Sequence, residues 1–408
     1  MSELSCRFCA APLEHVVVDL GTSPPANMLV SPGAPKEPNF PLCTYVCDRC
    51  HLVQLPQFQT PDEIFSDYVY LSSYSTSWLE HLRRFAELAR QRFALGQESQ
   101  VVEIASNDGA LLKNFVEAKI PALGIEPAHN VAAIANAAGV PTRSEFFGTA
   151  LARQLRSEGH SADLVVANNV LAHVPDLNDF VAGIAMLLKP NGVATLEFPH
   201  LLRLIERTEF DTIYHEHFSY FSLTCATTIL AAHGLRVVDV EELPTHGGSL
   251  RIYASLESDA AVVSAACGRI MGEEEAAGLN GLRAFADFAA RVREAKESFL
   301  AFLQRESARK KSVAGYGAPA KAATLLNYCG VGADAIAYTV DRNPYKQGKL
   351  VPGARIPIFA PEKIVETKPD FVVIFPWNIR DEVVSQQAII RSWGGRFVVP
   401  IPVTEILA

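Results

Sequence analysis

Between residues 101 and 198, short apolar runs alternate with amphipathic stretches, which predicts the strand and helix units of a parallel, doubly wound sheet. Strands are expected at 101–106, at 122–125 ending on Glu126, at 163–167 and at 192–198. They are dominated by Val, Ile, Leu and Ala, as strands buried on both faces should be. Helices are expected over 110–118, 131–138 and 177–188. Ahead of the sheet, apolar residues at 78, 79, 82, 85, 86, 88 and 89 keep a helical rhythm over 77–93, and another helix is expected over 223–233. Residues 257–309 read as helical, with Glu273, Glu274 and Glu275 on a solvated face. A second α/β unit begins at Ser312: a strand runs into Gly315-x-Gly317, then come a helix over 320–326 and strands over 335–340 and 371–375. Three parts result: 1–72, 73–256 and 257–408.

Composition narrows the classes. Hydrophobic residues make up 49% of the 408 and charged residues 20%, which provides for buried cores and excludes a largely disordered chain. The net charge of −9 argues against a globally cationic nucleic-acid surface but leaves room for a local basic pocket. No apolar run approaches the ~18 residues needed to span a bilayer, and no basic region leads an apolar stretch at the start. The expectation is a soluble, cytoplasmic protein without membrane or nucleic-acid partners, either a monomer or a small homo-oligomer.

Five of the eight cysteines fall in the first 50 residues. Cys6-Arg-Phe-Cys9 and Cys47-Asp-Arg-Cys50 are two knuckles, each presenting two thiolates to one ion, and together they form the closed four-sulfur set of structural zinc. Cys43 reads as packing, and His51 is unnecessary once four thiolates are in place. The proline-rich stretch 21–41 reads as an extended loop hung on the metal.

The first strand, loop and helix of the central part place backbone N–H groups at the sheet's carboxyl edge, where open α/β sheets bind ligands. Glu126, 17 positions after Gly109, can accept ribose hydroxyls. The loop holding Asp108 would repel a pyrophosphate, so a sulfonium cofactor, S-adenosylmethionine, suits it better than NAD. After the last strand comes the densest cluster of polar and aromatic groups in the chain, 209–221. There Tyr214, Glu216 and His217 supply a phenol, an orienting carboxylate and a base of pKa ~6.5. A metal at His215-x-His217 lacks an evident third ligand. His173 also falls at the cofactor edge. In the C-terminal part, Gly315-x-Gly317 lacks the third glycine of a dinucleotide fingerprint, and Lys321 at the helix start would favour an anion. A vestigial nucleotide fold binding part of a substrate is expected.

Several long motifs carry a resemblance that spans nearly the whole chain. They are the double knuckle, Tyr68-Val-Tyr70-Leu-Ser-Ser-Tyr74, Glu103-Ile-Ala-Ser-Asn-Asp-Gly109, Gly124-Ile-Glu126, Asn168-Asn-Val-Leu-Ala-His173, Tyr214-His-Glu-His217-Phe-Ser-Tyr220, His246-Gly-Gly-Ser-Leu-Arg251 and Gly315-Tyr-Gly-Ala-Pro-Ala-Lys321. The chain resembles the S-adenosylmethionine-dependent C-methyltransferases of nucleotide-linked deoxysugars. The resemblance implies an N-terminal four-cysteine zinc module, a central Rossmann-like methyltransferase domain and a second Rossmann-like α/β domain. The implied activity is methylation of a ring carbon, most often C-3, of a dTDP-linked 4-keto-6-deoxysugar through an enolate. Cofactor binding would fall to Glu103, Ser106, Asn107, Asp108, Gly109, Glu126, Asn168 and Asn169. The base would be His217 or Tyr214, with histidine favoured because a phenol of pKa ~10 is protonated at neutral pH. Glu216 would orient it or touch the sugar, with His173 and Tyr68 at the substrate or enolate. Tyr70, Arg251, Lys321 and Asn343 would contact the substrate, the last three at its diphosphate or base. Ala105 departs from the family's usual glycine, a change that is tolerable on an ordinary backbone.

Two readings from other classes stand beside this one. An NAD-dependent oxidoreductase would need the missing glycine fingerprint. A zinc-ribbon nucleic-acid methyltransferase would need a basic first 60 residues, which hold only Arg7, Lys36 and Arg49.

Overall fold

A computed structural model describes residues 4–65, 71–74 and 76–407. Its centre is a seven-stranded sheet in the order Thr142–Arg143, Ala122–Ile125, Val101–Ile104, Ala162–Asn168, Leu188–Pro199, Ser249–Leu256, Leu235–Leu243. All strands run parallel except Ser249–Leu256, which pairs antiparallel with both neighbours. Val101–Ile104 is buried at every position, consistent with helices on both faces. The helix Thr76–Arg92 covers one face with Leu82, Phe85, Ala86 and Ala89, while Leu88 points to solvent.

The second sheet has the order Ile358–Phe359, Thr339–Val340, Val313–Tyr316, Phe371–Ile374, Arg396–Val399, Glu405–Ile406, with the last strand antiparallel. The strand expected over 335–340 shrinks to Thr339–Val340, because Ala335 and Ile336 both turn back onto the Gly332 carbonyl. Within 257–309 the helices are Ala265–Ala277 and Phe288–Ala308. Glu274 is not on a solvated face. It is fully buried and accepts hydrogen bonds from the backbone N–H groups of Leu223 (2.6 Å) and Thr224 (2.9 Å) and from His200 Nε2 (2.7 Å), capping the helix Leu223–Ala231 from a distant part of the chain.

The proline-rich stretch also differs from expectation. His15–Ser23 and Phe40–Val46 pair antiparallel in a four-stranded sheet with Val53–Gln54 and Ser219–Tyr220. The loop between the first two strands hangs on the C-terminal domain and not on the metal. Glu37 pairs with Arg355 at 3.0 Å and accepts the Gly353 N–H, and Val30 bridges Leu350. The apolar residues agree: Val17, Leu20 and Leu42 share a core with Phe299, Leu325 and Phe375, while the knuckles pack against the central sheet beside Leu171 and Phe221.

Candidate active site

The four knuckle sulfurs lie within 4.8 Å of one another, with Cys6 to Cys50 and Cys9 to Cys47 at 3.5 Å. A tetrahedral zinc with ~2.3 Å bonds spaces its sulfurs about 3.8 Å apart, so the donor set fits that ion in kind and size. Cys43 is outside the set.

At the carboxyl edge of the central sheet, the loop after Val101–Ile104 turns through left-handed backbone at Ala105 (φ 56°), Asn107 (φ 51°) and Gly109 (φ 77°). Ala105 therefore does not keep the ordinary backbone expected of it. An L-residue there costs roughly 1–2 kcal/mol, against roughly 0.5–1 kcal/mol for the added freedom of an unfolded glycine. Ala105→Gly should stabilise the fold by about 0.5–1 kcal/mol, read as a higher denaturation midpoint at unchanged m-value. Glu126 closes this loop: its carboxylate accepts the N–H groups of Asn107 and Ala128, both at 2.9 Å. The turn Ser72–Tyr74 closes the outer side, with Ser72 N–H on Asn107 Oδ1 and Ser73 N–H on Asp108 Oδ2.

Buried polar atoms collect here without protein partners: Glu103 Oε2, Ser106 Oγ, Asp108 Oδ1, both side-chain ends of Asn168, and Asn169 Oδ1. Most are acceptors, and buried acceptors call for donors or positive charge. Burial pushes the Glu103 carboxyl well above the usual range, helped by the neighbouring Glu126 and Asp108 carboxylates. A ligand bringing an ammonium, a sulfonium and ribose hydroxyls matches this set, so the residues present fit S-adenosylmethionine.

The second group of candidates lies on the loop after the fifth strand of the sheet in chain order. His217 Nδ1–H donates to the Thr212 carbonyl at 2.8 Å, which leaves Nε2 as acceptor for the Tyr214 hydroxyl at 2.8 Å. Burial drives the His217 pKa well below 6.5, and the nearby His173 pushes the same way, so the ring is a neutral base at pH 7. The His173 ring stands 4.8 Å away, its Nδ1–H on the Glu216 carbonyl at 2.7 Å and its pKa lowered to about 4 by burial. Glu216 thus orients His173 through its main chain. Its carboxylate does not orient His217 but accepts the Asn27 N–H at 3.2 Å, and burial raises its pKa. His215, the other histidine of the His-x-His pair, hydrogen-bonds the Pro41 carbonyl at 3.1 Å. The N-terminal module therefore braces this loop from one side.

The C-terminal domain braces it from the other. Thr324 Oγ1 donates to the Ile213 carbonyl at 3.0 Å, and Trp377 Nε1 to Asp211 Oδ2 at 2.8 Å. Lys321 lies over the Trp377 ring at 4.0 Å and donates to Asn378 Oδ1. Burial lowers its pKa, while Asp211 and Glu209 hold it up. Burial in turn raises Asp211 to about 6 and Glu209 to about 8. Lys321 therefore faces two carboxyls of this loop, a setting that would disfavour a diphosphate. Arg251 is likewise no open anion site: it is buried, pairs with Glu197 at 2.8 Å and Glu241 at 3.3 Å, and shares Glu197 with His81. Asn343 shapes a turn, its side chain accepting the Tyr345 N–H. Tyr68 and Tyr70 lie outside the described residues. Sequence reasoning missed the bracing groups Asn27, Pro41, Thr324 and Trp377, because nothing local marks a residue whose partner is a hundred or more positions away.

Residues 78–240 match a family described as a methyltransferase domain, 6–65 one described as a zinc binding domain, and 244–402 one described as a C-methyltransferase C-terminal domain. The C-methyltransferase NovU of Streptomyces niveus is 36% identical over 405 residues, covering 99% of this chain and 96% of that protein. Solved structures include a magnesium protoporphyrin IX methyltransferase from Synechocystis with bound S-adenosylmethionine (14% identity, TM-score 0.33, covering 43% of this chain and 76% of that one). Another is a methyltransferase from Archaeoglobus fulgidus (13%, 0.34, 42% and 93%). The fold is that of a methyltransferase domain built on a doubly wound sheet. The chain belongs to the C-methyltransferase family, with S-adenosylmethionine and zinc as its cofactors. Among the described residues no helix is long and apolar enough to cross a membrane.

Proposed function

We propose that this protein methylates a ring carbon, C-3, of a dTDP-linked 4-keto-6-deoxysugar, as a cytoplasmic enzyme of deoxysugar biosynthesis. The observation that carries the reading is the half-buried pair of Tyr214 and the neutral His217, fixed by Thr212 and flanked by His173 from the loop after Ala162–Asn168. A carbon beside a ketone is acidic enough for such a base, and its enolate is a carbon nucleophile. S-adenosylmethionine, when bound, supplies the electrophilic methyl. In our reading His217 Nε2 is the final acceptor of the ring proton, and the Tyr214 hydroxyl on that lone pair relays it or turns to the enolate oxygen. His173, neutral at pH 7 and fixed through Nδ1, lends Nε2 to the substrate. Glu103, Ser106, Asn107, Asp108, Gly109, Glu126, Asn168 and Asn169 hold the cofactor.

Isothermal titration with S-adenosylhomocysteine, then with dTDP added to the complex, tests this. Micromolar binding of both is expected. A chain that binds the cofactor product but no nucleotide would refute the nucleotide-sugar acceptor, and failure to bind the cofactor product would overturn the whole reading.

A further inference from the structure

One histidine beside the reacting loop has no task in the mechanism above. His246 lies in the turn Thr245–Gly247, between the antiparallel strands Leu235–Leu243 and Ser249–Leu256. Because Ser249 pairs with Pro199, the turn stands at the carboxyl end of Leu188–Pro199, on the edge where such a sheet binds its ligands. The strand Ala162–Asn168, which leads into Asn169 and His173, separates it from the cofactor loop. That order puts His246 on the acceptor's side of the transferred methyl.

The turn is both strained and firmly held. His246 takes left-handed backbone (φ 55°, ψ 21°), which carries a cost for any residue with a β-carbon. Thr245 Oγ1 donates to Glu197 Oε1 at 3.1 Å. The Thr245 carbonyl accepts the Gly248 N–H at 2.9 Å and Ser249 Oγ at 3.0 Å, and Arg207 donates to the Gly247 carbonyl. A β-carbon on Gly247 would come within 2.5 Å of Glu209 Oε1 and 2.6 Å of the Trp377 ring. Only glycine lets the turn pack this closely against the reacting loop and the C-terminal domain. With Thr245 engaged and two glycines following, the imidazole of His246 is the one side chain that the turn presents.

That imidazole is half-buried and makes no hydrogen bond among the described residues. Its neighbours differ: His81 spends a nitrogen on Glu197, His173 on the Glu216 carbonyl, His215 on the Pro41 carbonyl and His217 on the Thr212 carbonyl. The ring sits 5.9 Å from that of Trp78, which stacks on His81, and within range of the charges of His217, His173 and Lys321. Burial lowers its pKa to about 4 and Lys321 adds to the effect, so at pH 7 it is neutral with one N–H to give. A polar ring without a partner, held on strained backbone by everything around it, is the mark of a group set for a ligand. We propose that His246 donates this N–H to the ketone oxygen of the acceptor, where the enolate's charge collects, and so is a further catalytic residue. The inference rests on the enolate reading above. As His217 takes the ring proton, the C–H pair forms the C=C bond and the carbonyl pair moves to oxygen. Attack of the carbon on the methyl returns that pair, and His246 keeps its proton throughout. Its donor is in place before the charge develops, which is what makes such a group effective.

The test compares the full chain with His246→Gly, which removes the ring and suits the left-handed backbone. Deuterium uptake beside the ketone of dTDP-4-keto-6-deoxyglucose, with S-adenosylhomocysteine bound, reads enolate formation without methyl transfer. The glycine variant should melt no lower than wild type and bind S-adenosylhomocysteine as tightly. Its kcat and its rate of deuterium uptake should both fall by about 10²–10³-fold, the range for loss of one oxyanion donor, and added imidazole should restore part of each. His246→Asn, which tolerates the same backbone but reaches less far, should fall between the two. Activity lost only together with melting temperature, in both variants, would overturn the proposal in favour of a structural role. A raised KM at unchanged kcat would overturn it as well, because it marks ground-state binding alone, and so would rates like those of wild type. Each of these leaves the proposed function standing. A wild type that takes up no deuterium would instead remove the enolate reading itself, and the role of His246 with it.

Discussion

Replacing His217 with asparagine is expected to lower kcat by about 10²–10⁴-fold, the range for removal of a positioned general base, with S-adenosylhomocysteine binding unchanged. Asparagine keeps an N–H that can reach the Thr212 carbonyl but offers no imidazole lone pair to the Tyr214 hydroxyl. Because the two side chains share one hydrogen bond, Tyr214→Phe should also slow the reaction, and the double variant should be little slower than the worse single one. The pH dependence follows from the same geometry. The folded pKa of His217 is depressed by burial, with the cationic forms of His173 and His246 and the charge of Lys321 acting in the same direction. The competent neutral form therefore persists as pH falls through 6.5, and the acid limb of kcat/KM should lie below that of an ordinary histidine. A His217→Asn enzyme that keeps most of its rate would exclude histidine as the base. If Tyr214→Phe is then inactive, the phenol holds that role. An acid limb at or above 6.5 would exclude a buried, depressed histidine.

The parts of this site that are legible in the sequence are those whose chemistry and spacing are local. Two Cys-x-x-Cys knuckles can be recognised from eight residues, and Glu126 ends a strand of four apolar or small residues. The antiparallel pair Leu235–Leu243 and Ser249–Leu256 is not legible in this way, although it completes the sheet. The first of these carries Asp239, Glu241 and Glu242, whose charges are matched by Arg92, Arg251, Arg203 and Arg269 from other elements, so its acidic look conceals a strand. Glu274 misleads for the converse reason: an acidic triplet on a helix is usually solvated, and only the arrival of Leu223, Thr224 and His200 offsets the cost of its burial. The same limit hides the engagement of Lys321 and Arg251. A basic residue beside a glycine turn or a strand reads as an anion site until the carboxylates that fold against it are known.

Removing the zinc should lower turnover sharply while leaving the cofactor product bound. The four thiolates tie together the two ends of the first 50 residues, and structural zinc in such sites contributes on the order of 10–16 kcal/mol, more than a module with so small a core can replace. Between the knuckles run the strands and the loop that supply Asn27 N–H to Glu216 and the Pro41 carbonyl to His215, and that dock on Arg355 and Leu350 of the C-terminal domain. Loss of the metal therefore releases one of the two supports of the loop holding Tyr214 and His217. The groups expected to grip the cofactor are positioned instead by Glu126 and by the central sheet itself. Treatment with a strong chelator, or Cys47→Ser, should thus drop kcat by about 100-fold or more, as expected when reacting groups are displaced by an ångström or so. Titration with S-adenosylhomocysteine should still show binding, and limited proteolysis should cut within 24–39, the segment no longer held against Arg355. Full activity in the metal-free protein would show that the C-terminal contacts through Thr324 and Trp377 suffice on their own to hold the loop.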